Sequence, residues 1–248
     1  MTALAVRELS IAFGGLSVIS NLSFSVREGE RLVIFGPNGA GKTTLFNAIS
    51  GFCRPARGSI ELFGKDVTDL GIAERVGLGL GRTFQVTTLF PELSVLESTM
   101  LALQAGAPSR FAMFRSLMSY SDFRAEAVQL LADWGIRGRE NILTKNLSYG
   151  EQRQVEIVLA LARKPRLLLL DEPAAGMSIA ETEIIETMIK EMSRNVTIML
   201  IEHDVEMAMR LADRMIVLHN GRFVASGSPQ EIHGDPEIAK IYFGEQYV

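Results

Sequence analysis

The sequence predicts an α/β fold. A core is built on a parallel sheet, an N-terminal layer of antiparallel strands lies beside it, and an α-helical subdomain is inserted in the middle. Three observations carry this expectation. From about residue 164 onward, short apolar runs alternate with segments of helical spacing, the pattern of a sheet served by crossover helices. A glycine-rich turn, Gly36 to Thr44, links the apolar run "RLVIF" to the helical pattern "TTLFNAIS". Between about 95 and 163, helical spacing persists with few strand signals.

Each element follows from local pattern. Residues 4–35 hold the apolar runs "LAVRELSIAF" and "LSFSVREGERLVIF", punctuated by Gly14–Gly15 and by "EGE" at 28–30, and read as short strands. "GSIELFGKDV" reads as a strand pair around Gly64. "VLESTMLALQA", "SDFRAEAVQLLADWG" and "YGEQRQVEIVLALARK" read as the helices of the insertion. "RLLLLDEP" and "VTIMLIEHD" read as buried strands, and "IAETEIIETMIKEMS" and "VEMAMRLADR" as helices. In "MIVLHNGRFVASG", Asn220-Gly221 between apolar runs predicts a tight hairpin. No internal repeat or low-complexity segment stands out.

Composition bounds the function. With 25 basic and 29 acidic residues the formal net charge is −4, so no basic excess argues for nucleic acid. One cysteine, Cys53, excludes an internal disulfide. The segment "MTALAVRELS" lacks the charged-then-apolar layout of a signal peptide. No apolar run approaches the roughly 18 residues needed to cross a bilayer. The expectation is a soluble chain that docks on something else if it works at a membrane.

The glycine-rich turn carries the first chemistry. Gly36-x4-Gly41-Lys42-Thr43 fits the phosphate-loop pattern of P-loop NTPases without a mismatch. Its glycines let the backbone curl so that several N–H groups converge on anionic oxygens. The following helix adds its positive N-terminus. Gly36, Pro37, Asn38, Gly39, Ala40, Gly41, Lys42, Thr43 and Thr44 are therefore the expected phosphate site. Lys42 is placed on the β- and γ-phosphates and Thr43 on Mg²⁺.

Two further stretches add to it. In "NLSYGEQRQVEI", Ser148 can cap a helix and leave N–H groups for an anion near Gly150. Alone, this reads as an ordinary capped helix. In "RLLLLDEP" two carboxylates emerge at the carboxyl end of a buried strand, where open α/β sheets bind ligands. Asp171 suits Mg²⁺, and Glu172 suits positioning or deprotonating a water. "IEHD" ends a third strand with His203. A lone histidine there is more often a surface residue, but three strands ending in phosphate-competent groups strengthen the functional reading.

In this order, these motifs resemble the nucleotide-binding subunit of an ABC transporter, and the resemblance covers nearly the whole chain. It implies a single ABC ATPase domain over 1–248, with a RecA-like core at 1–85 and 164–248 and a helical subdomain at about 86–163. It implies that Phe13 stacks on adenine and that Gln85, in "RTFQ", joins core to subdomain and senses the metal. Leu147 to Gln152 resemble the family signature. Asp171 matches the metal-site aspartate, Glu172 the catalytic glutamate and His203 the switch histidine.

The stretches "LSYGEQRQVEI", "DEPAAGM" and "GSPQEIHGDPEIAKIYFGE" are similar to ATPases of importers for branched-chain and other hydrophobic amino acids, a subfamily that includes urea and short-amide transporters. Lipopolysaccharide exporters form a related branch. A soluble ABC ATPase of DNA repair or the ribosome is the alternative of another class. It is disfavoured by the single nucleotide domain and by the lack of a heptad run or basic patch. A P-loop kinase would lack the signature and the switch histidine.

The resemblance implies ATP and Mg²⁺ as ligands. As partners it implies separate transmembrane permease subunits, a second ATPase subunit (this chain or a paralogue), and a periplasmic or extracellular solute-binding protein. It implies a peripheral place on the cytoplasmic face of the cell membrane. In the family, Ser148 and Gly150 would reach the ATP of the second subunit. The region around Gln85, with Phe90-Pro91, is where permease loops dock, although these residues equally suit subdomain packing. The stripe Phe111, Phe114, Leu117 and Met118 suits core packing first. Two positions depart from the family: Tyr149-Gly150-Glu151 stands where Gly-Gly-Gln is usual, and Ser178 where an aspartate crosses to the partner.

Overall fold

A computed structural model describes residues 1–84, 89–105, 121–236 and 238. The elements in chain order are β1 (Thr2–Phe13), β2 (Leu16–Arg27), β3 (Arg31–Phe35), α1 (Lys42–Ser50), β4 (Arg57–Leu62), β5 (Lys65–Asp66), α2 (Ile72–Gly77) and β6 (Leu80–Arg82). There follow α3 (Val95–Gln104), α4 (Ser121–Asp133), α5 (Tyr149–Leu161), β7 (Leu167–Asp171), α6 (Ile179–Glu191), β8 (Thr197–Ile201), α7 (Val205–Leu211), β9 (Arg214–His219), β10 (Arg222–Gly227) and α8 (Pro229–His233). The chain divides into two units, one of residues 1–82, 166–172 and 192–248, the other of 83–165 and 173–191.

The first unit holds both sheets. One is antiparallel, in the order β2-β1-β4-β5, and the other is ordered β10-β9-β3-β8-β7-β6. In the second sheet β9, β3, β8, β7 and β6 are parallel, and β10 closes the edge as an antiparallel hairpin strand. All five residues of β3, of β7 and of β8 are buried, as continuous apolar runs covered on both faces must be. The hairpin turn at Asn220-Gly221 has φ of 50° and 72°, the left-handed pair that a tight turn between twisted strands requires.

One apolar core joins the two sheets through α1. Leu4, Leu9 and Ile11 of β1 and Leu22 of β2 pack with Leu45, Phe46 and Ile49 of α1 and with Leu32, Ile34, Leu169, Met199 and Ile201 of the parallel sheet. Each such side chain contributes roughly 1.5–3 kcal/mol by leaving water. At its far end α1 is closed by a fully buried guanidinium. Arg75 donates to the carbonyls of Ala48, Ile49, Leu70 and Thr68, satisfying groups that a helix end leaves open.

The second unit is helical over its described residues, apart from one isolated bridge between Ser94 and Leu143. α3 and α5 each begin with a serine cap and a glutamate three residues on, a reciprocal capping box. Among the described residues, no helix is long and apolar enough to cross a membrane.

Candidate functional site

The site of the first unit begins where β3 ends. The chain turns at Gly36, where a Cβ would lie 2.3 Å from the Leu218 carbonyl oxygen of β9, so no side chain fits. Gly41 caps α1 with φ of 95°, and no side chain caps that helix N-terminus. Lys42 is buried and bends back, its Nζ donating to the carbonyls of Gly36 at 2.6 Å and Pro37 at 3.1 Å. Pro37, Asn38, Gly39 and Thr43 are exposed, Thr44 is half-buried, and the Ala40 amide closes the loop onto the Pro37 carbonyl at 3.2 Å. Burial lowers the pKa of Lys42, while Glu172, Asp171 and Glu202 favour its charge. The arrangement suits an anion, whose oxygens can replace the loop carbonyls as the lysine's partners beside an uncapped helix end.

The sheet order brings the carboxylates to this loop. β8 lies between β3 and β7, and Asp171, Ile201 and Ile34 fall on one row. Asp171 is 1% exposed; its Oδ2 faces Arg82 Nη2 at 3.4 Å, and its Oδ1 is buried without a hydrogen-bond partner among the described residues. Burial raises its pKa, and the Arg82 charge acts against that rise. Glu172 leaves the strand with φ of 45°, a left-handed backbone uncommon outside glycine, and its amide donates to the Ile201 carbonyl at 3.0 Å. Its Oε2 lies 3.9 Å from His203 Nδ1, and the His203 side chain is 57% exposed. A carboxylate and an imidazole thus adjoin the phosphate loop, the groups from which water activation is built.

Two residues of this site were not singled out in the sequence. Glu202 stood unnoticed beside His203 in "IEHD". It is 2% exposed, its Oε1 has no hydrogen-bond partner among the described residues, its Oε2 accepts the His203 amide at 3.3 Å, and burial pushes its pKa up to about 7. Arg82 ends β6 within the glycine-rich "GLGLGR", which carries no strand signal.

A divalent cation fits the donors present. Asp171 Oδ1 is a buried oxygen without a partner among the described residues, and the Thr43 hydroxyl is on an exposed residue at the start of α1. No group of three or more metal-ligating side chains occurs among the described residues.

Phe13 ends β1 opposite Leu16 and is 54% exposed. Gln85 lies outside the described residues, as does the stripe from Phe111 to Met118. Phe90 is 59% exposed.

In the second unit, Ser148 caps α5: its Oγ accepts the Glu151 amide at 3.2 Å, and the Glu151 carboxylate accepts the Ser148 amide at 2.8 Å. Arg139 pairs with the same carboxylate at 2.8 Å. Gly150 is buried, and a Cβ there would lie 2.5 Å from Glu181 Oε1. Glu181 is held by Ser178 through its amide at 3.0 Å and its hydroxyl at 2.8 Å. Both positions that depart from the family pattern, Glu151 and Ser178, are therefore used in capping a helix.

Fold and loop together define a nucleotide-hydrolysing cassette. A family profile described as "ABC transporter" matches residues 19–175. The chain is 38% identical to the high-affinity branched-chain amino acid transport ATP-binding protein LivG of Salmonella typhimurium, across 98% of each chain. It is 35% identical to BraF of Pseudomonas aeruginosa, of the same description, again across 98% of each. The lipopolysaccharide export system ATP-binding protein LptB of Acidithiobacillus ferridurans is 34% identical, across 93% of this chain and 92% of that one. A crystal structure of a nucleotide-free ATP-binding cassette from an ABC transporter superposes with a TM-score of 0.87 at 28% identity, covering 99% of this chain and all of the other. The chain belongs to the ABC transporter family and is an ATPase that binds nucleotide.

Proposed function

We propose that this protein is the ATP-hydrolysing subunit of an importer for branched-chain or other hydrophobic amino acids. The observation that carries the ATPase chemistry is the row of groups at the carboxyl ends of β3, β8 and β7: Lys42 in its loop, His203, and the pair Asp171–Glu172. The solute class is supported by the LivG and BraF likenesses, which exceed the LptB likeness in identity and in coverage.

In this reading the amides of Gly36 to Thr44 and the Lys42 ammonium bind the phosphates of ATP, and Phe13 stacks on its adenine. Thr43, Gln85 and Asp171 hold Mg²⁺, which when bound offsets phosphate charge. Glu172 takes a proton from the attacking water, with Gln85 and His203 orienting the water and the γ-phosphate. Positioning and charge supply most of such a phosphoryl transfer. Ser148 and Gly150 contact the nucleotide of a second ATPase subunit, so ATP closes the pair and hydrolysis reopens it. Core 1–85 and 164–248 carries the loop, and the helical subdomain at about 86–163 carries the signature. Closure is passed to transmembrane permease subunits on the cytoplasmic face of the cell membrane, which receive solute from an extracytoplasmic binding protein. Nucleic acid is not a partner.

The test is reconstitution of the chain with its permease in proteoliposomes. ATPase activity is expected to rise when a binding protein loaded with leucine is added, and not when lipopolysaccharide is added. Stimulation by lipopolysaccharide alone would overturn the importer reading.

A further inference from the structure

Asp171 is buried yet satisfied on one side only. Its Oδ2 faces Arg82 at 3.4 Å, and its Oδ1 has no hydrogen-bond partner among the described residues. Leaving a buried carboxylate oxygen bare is unfavourable unless something arrives to meet it. Arg82 is itself fixed. Its side chain is 7% exposed, and its Nη1 donates to Ser50 Oγ at 2.6 Å. Its guanidinium carbon lies 5.9 Å from the centre of the Phe46 ring and 5.5 Å from that of Phe52. Ser50 Oγ in turn donates to the Phe46 carbonyl at 2.6 Å. Ser50 ends α1, the helix that begins at Lys42 and Thr43. One rigid helix thus carries the phosphate loop at one end and the anchor of Arg82 at the other.

An ion pair kept for stability alone would present a planar guanidinium to both carboxylate oxygens, which is the favoured geometry. Here, among the described residues, Asp171 is engaged through Oδ2 alone, so its rotation is set while Oδ1 keeps its lone pairs. We propose that Arg82 is a positioning residue for the metal site: it holds Asp171 by Oδ2 so that Oδ1 is presented to the divalent cation that accompanies ATP. This rests on the reading of Asp171 as the metal-site aspartate. It assigns to Arg82 and Ser50 a role in cation affinity, distinct from the binding of the nucleotide itself.

The experiment uses Arg82→Met, Arg82→Lys and Ser50→Ala, with Asp171→Ala as reference. Mn²⁺ is titrated by electron paramagnetic resonance in the presence of a non-hydrolysable ATP analogue. Analogue affinity is measured separately in EDTA, and thermal unfolding is followed for each variant. Loss of an outer-shell partner of a ligand weakens metal binding by about 10–100-fold. Arg82→Met is therefore expected to raise the half-saturating Mn²⁺ concentration by about tenfold or more, with Arg82→Lys and Ser50→Ala between it and the wild type. Analogue affinity in EDTA should stay near wild type. Wild-type Mn²⁺ affinity in a folded Arg82→Met protein overturns the proposal. If that variant does not fold, wild-type Mn²⁺ affinity in both Arg82→Lys and Ser50→Ala overturns it. Wild-type Mn²⁺ affinity in Asp171→Ala instead removes the metal-site reading on which it rests.

Discussion

Replacing Glu172 by glutamine separates chemistry from binding. The exchange keeps size and hydrogen-bonding reach and removes only the charge and the basicity. The Glu172 side chain is 15% exposed with Oε2 3.9 Å from His203 Nδ1, so an amide of the same shape can occupy the place without repacking. Losing a general base costs about 10²-fold or more in turnover, which is at least about 2.7 kcal/mol on the barrier. Nucleotide affinity responds differently. Lys42 is held by the carbonyls of Gly36 and Pro37, neither of which involves Glu172. Removing the carboxylate withdraws one favourable charge from Lys42 and one repelling charge from the incoming phosphates. These effects oppose, so affinity is expected to stay within about tenfold of wild type. With hydrolysis blocked, ATP should accumulate a closed pair visible on size exclusion, and a second change, Ser148→Arg, should abolish it by placing bulk and charge at the cap of α5. The assays are phosphate release, nucleotide titration and sizing, with and without ATP. A wild-type hydrolysis rate for Glu172→Gln in the fully assembled transporter would refute the role given to this carboxylate.

Lys42→Ala removes a buried ammonium from the loop and should cost about 2 kcal/mol or more of ATP affinity, roughly 30-fold in a calorimetric titration; unchanged affinity would sink the phosphate-loop assignment. Phe13→Ala should weaken ATP and GTP binding alike by about 1–3 kcal/mol, because stacking reads a ring face, and an unaltered affinity for both would make Phe13 a surface residue without a nucleotide role. Glu202 carries a pKa raised from 4.5 to about 7 by burial, so the folded protein retains a proton that the unfolded chain has lost. Its contribution is full below about pH 4.5 and is lost as pH rises through about 7, amounting to roughly 3 kcal/mol at the alkaline end. Glu202→Gln, neutral throughout, should therefore raise thermal stability at pH 8 and leave it nearly unchanged at pH 5. An equal effect at both pH values would show that Glu202 does not titrate as its burial requires.

Much of the site was legible because its signals are local. The phosphate loop needs glycines at fixed offsets beside a lysine, and Asn220-Gly221 needs two left-handed residues in succession; each is written in a few adjacent letters. The apolar runs of β3, β7 and β8 announce buried strands for the same reason. The helices α3, α5 and α6 begin at serines followed by glutamate, although the sequence alone did not say that Glu151 and Ser178 serve as caps. Other features were not legible. α2 and β6 lie in a stretch with three glycines, Gly77, Gly79 and Gly81, and no periodicity, and β6 exists because β7 offers a sheet edge to pair with. The order β3-β8-β7 is set by packing between strands far apart in sequence, and only that order makes neighbours of Lys42, Glu172 and His203. Arg82 meets Asp171 across 89 residues of chain. Such a pairing leaves no periodic or motif trace, because the energy that fixes it comes from burial in the folded core and not from either residue's immediate neighbours. Thus the sequence by itself marked the groups proposed here to handle a nucleoside triphosphate, while the tertiary structure decided which oxygen of Asp171 is held by Arg82 and which meets no partner among the described residues.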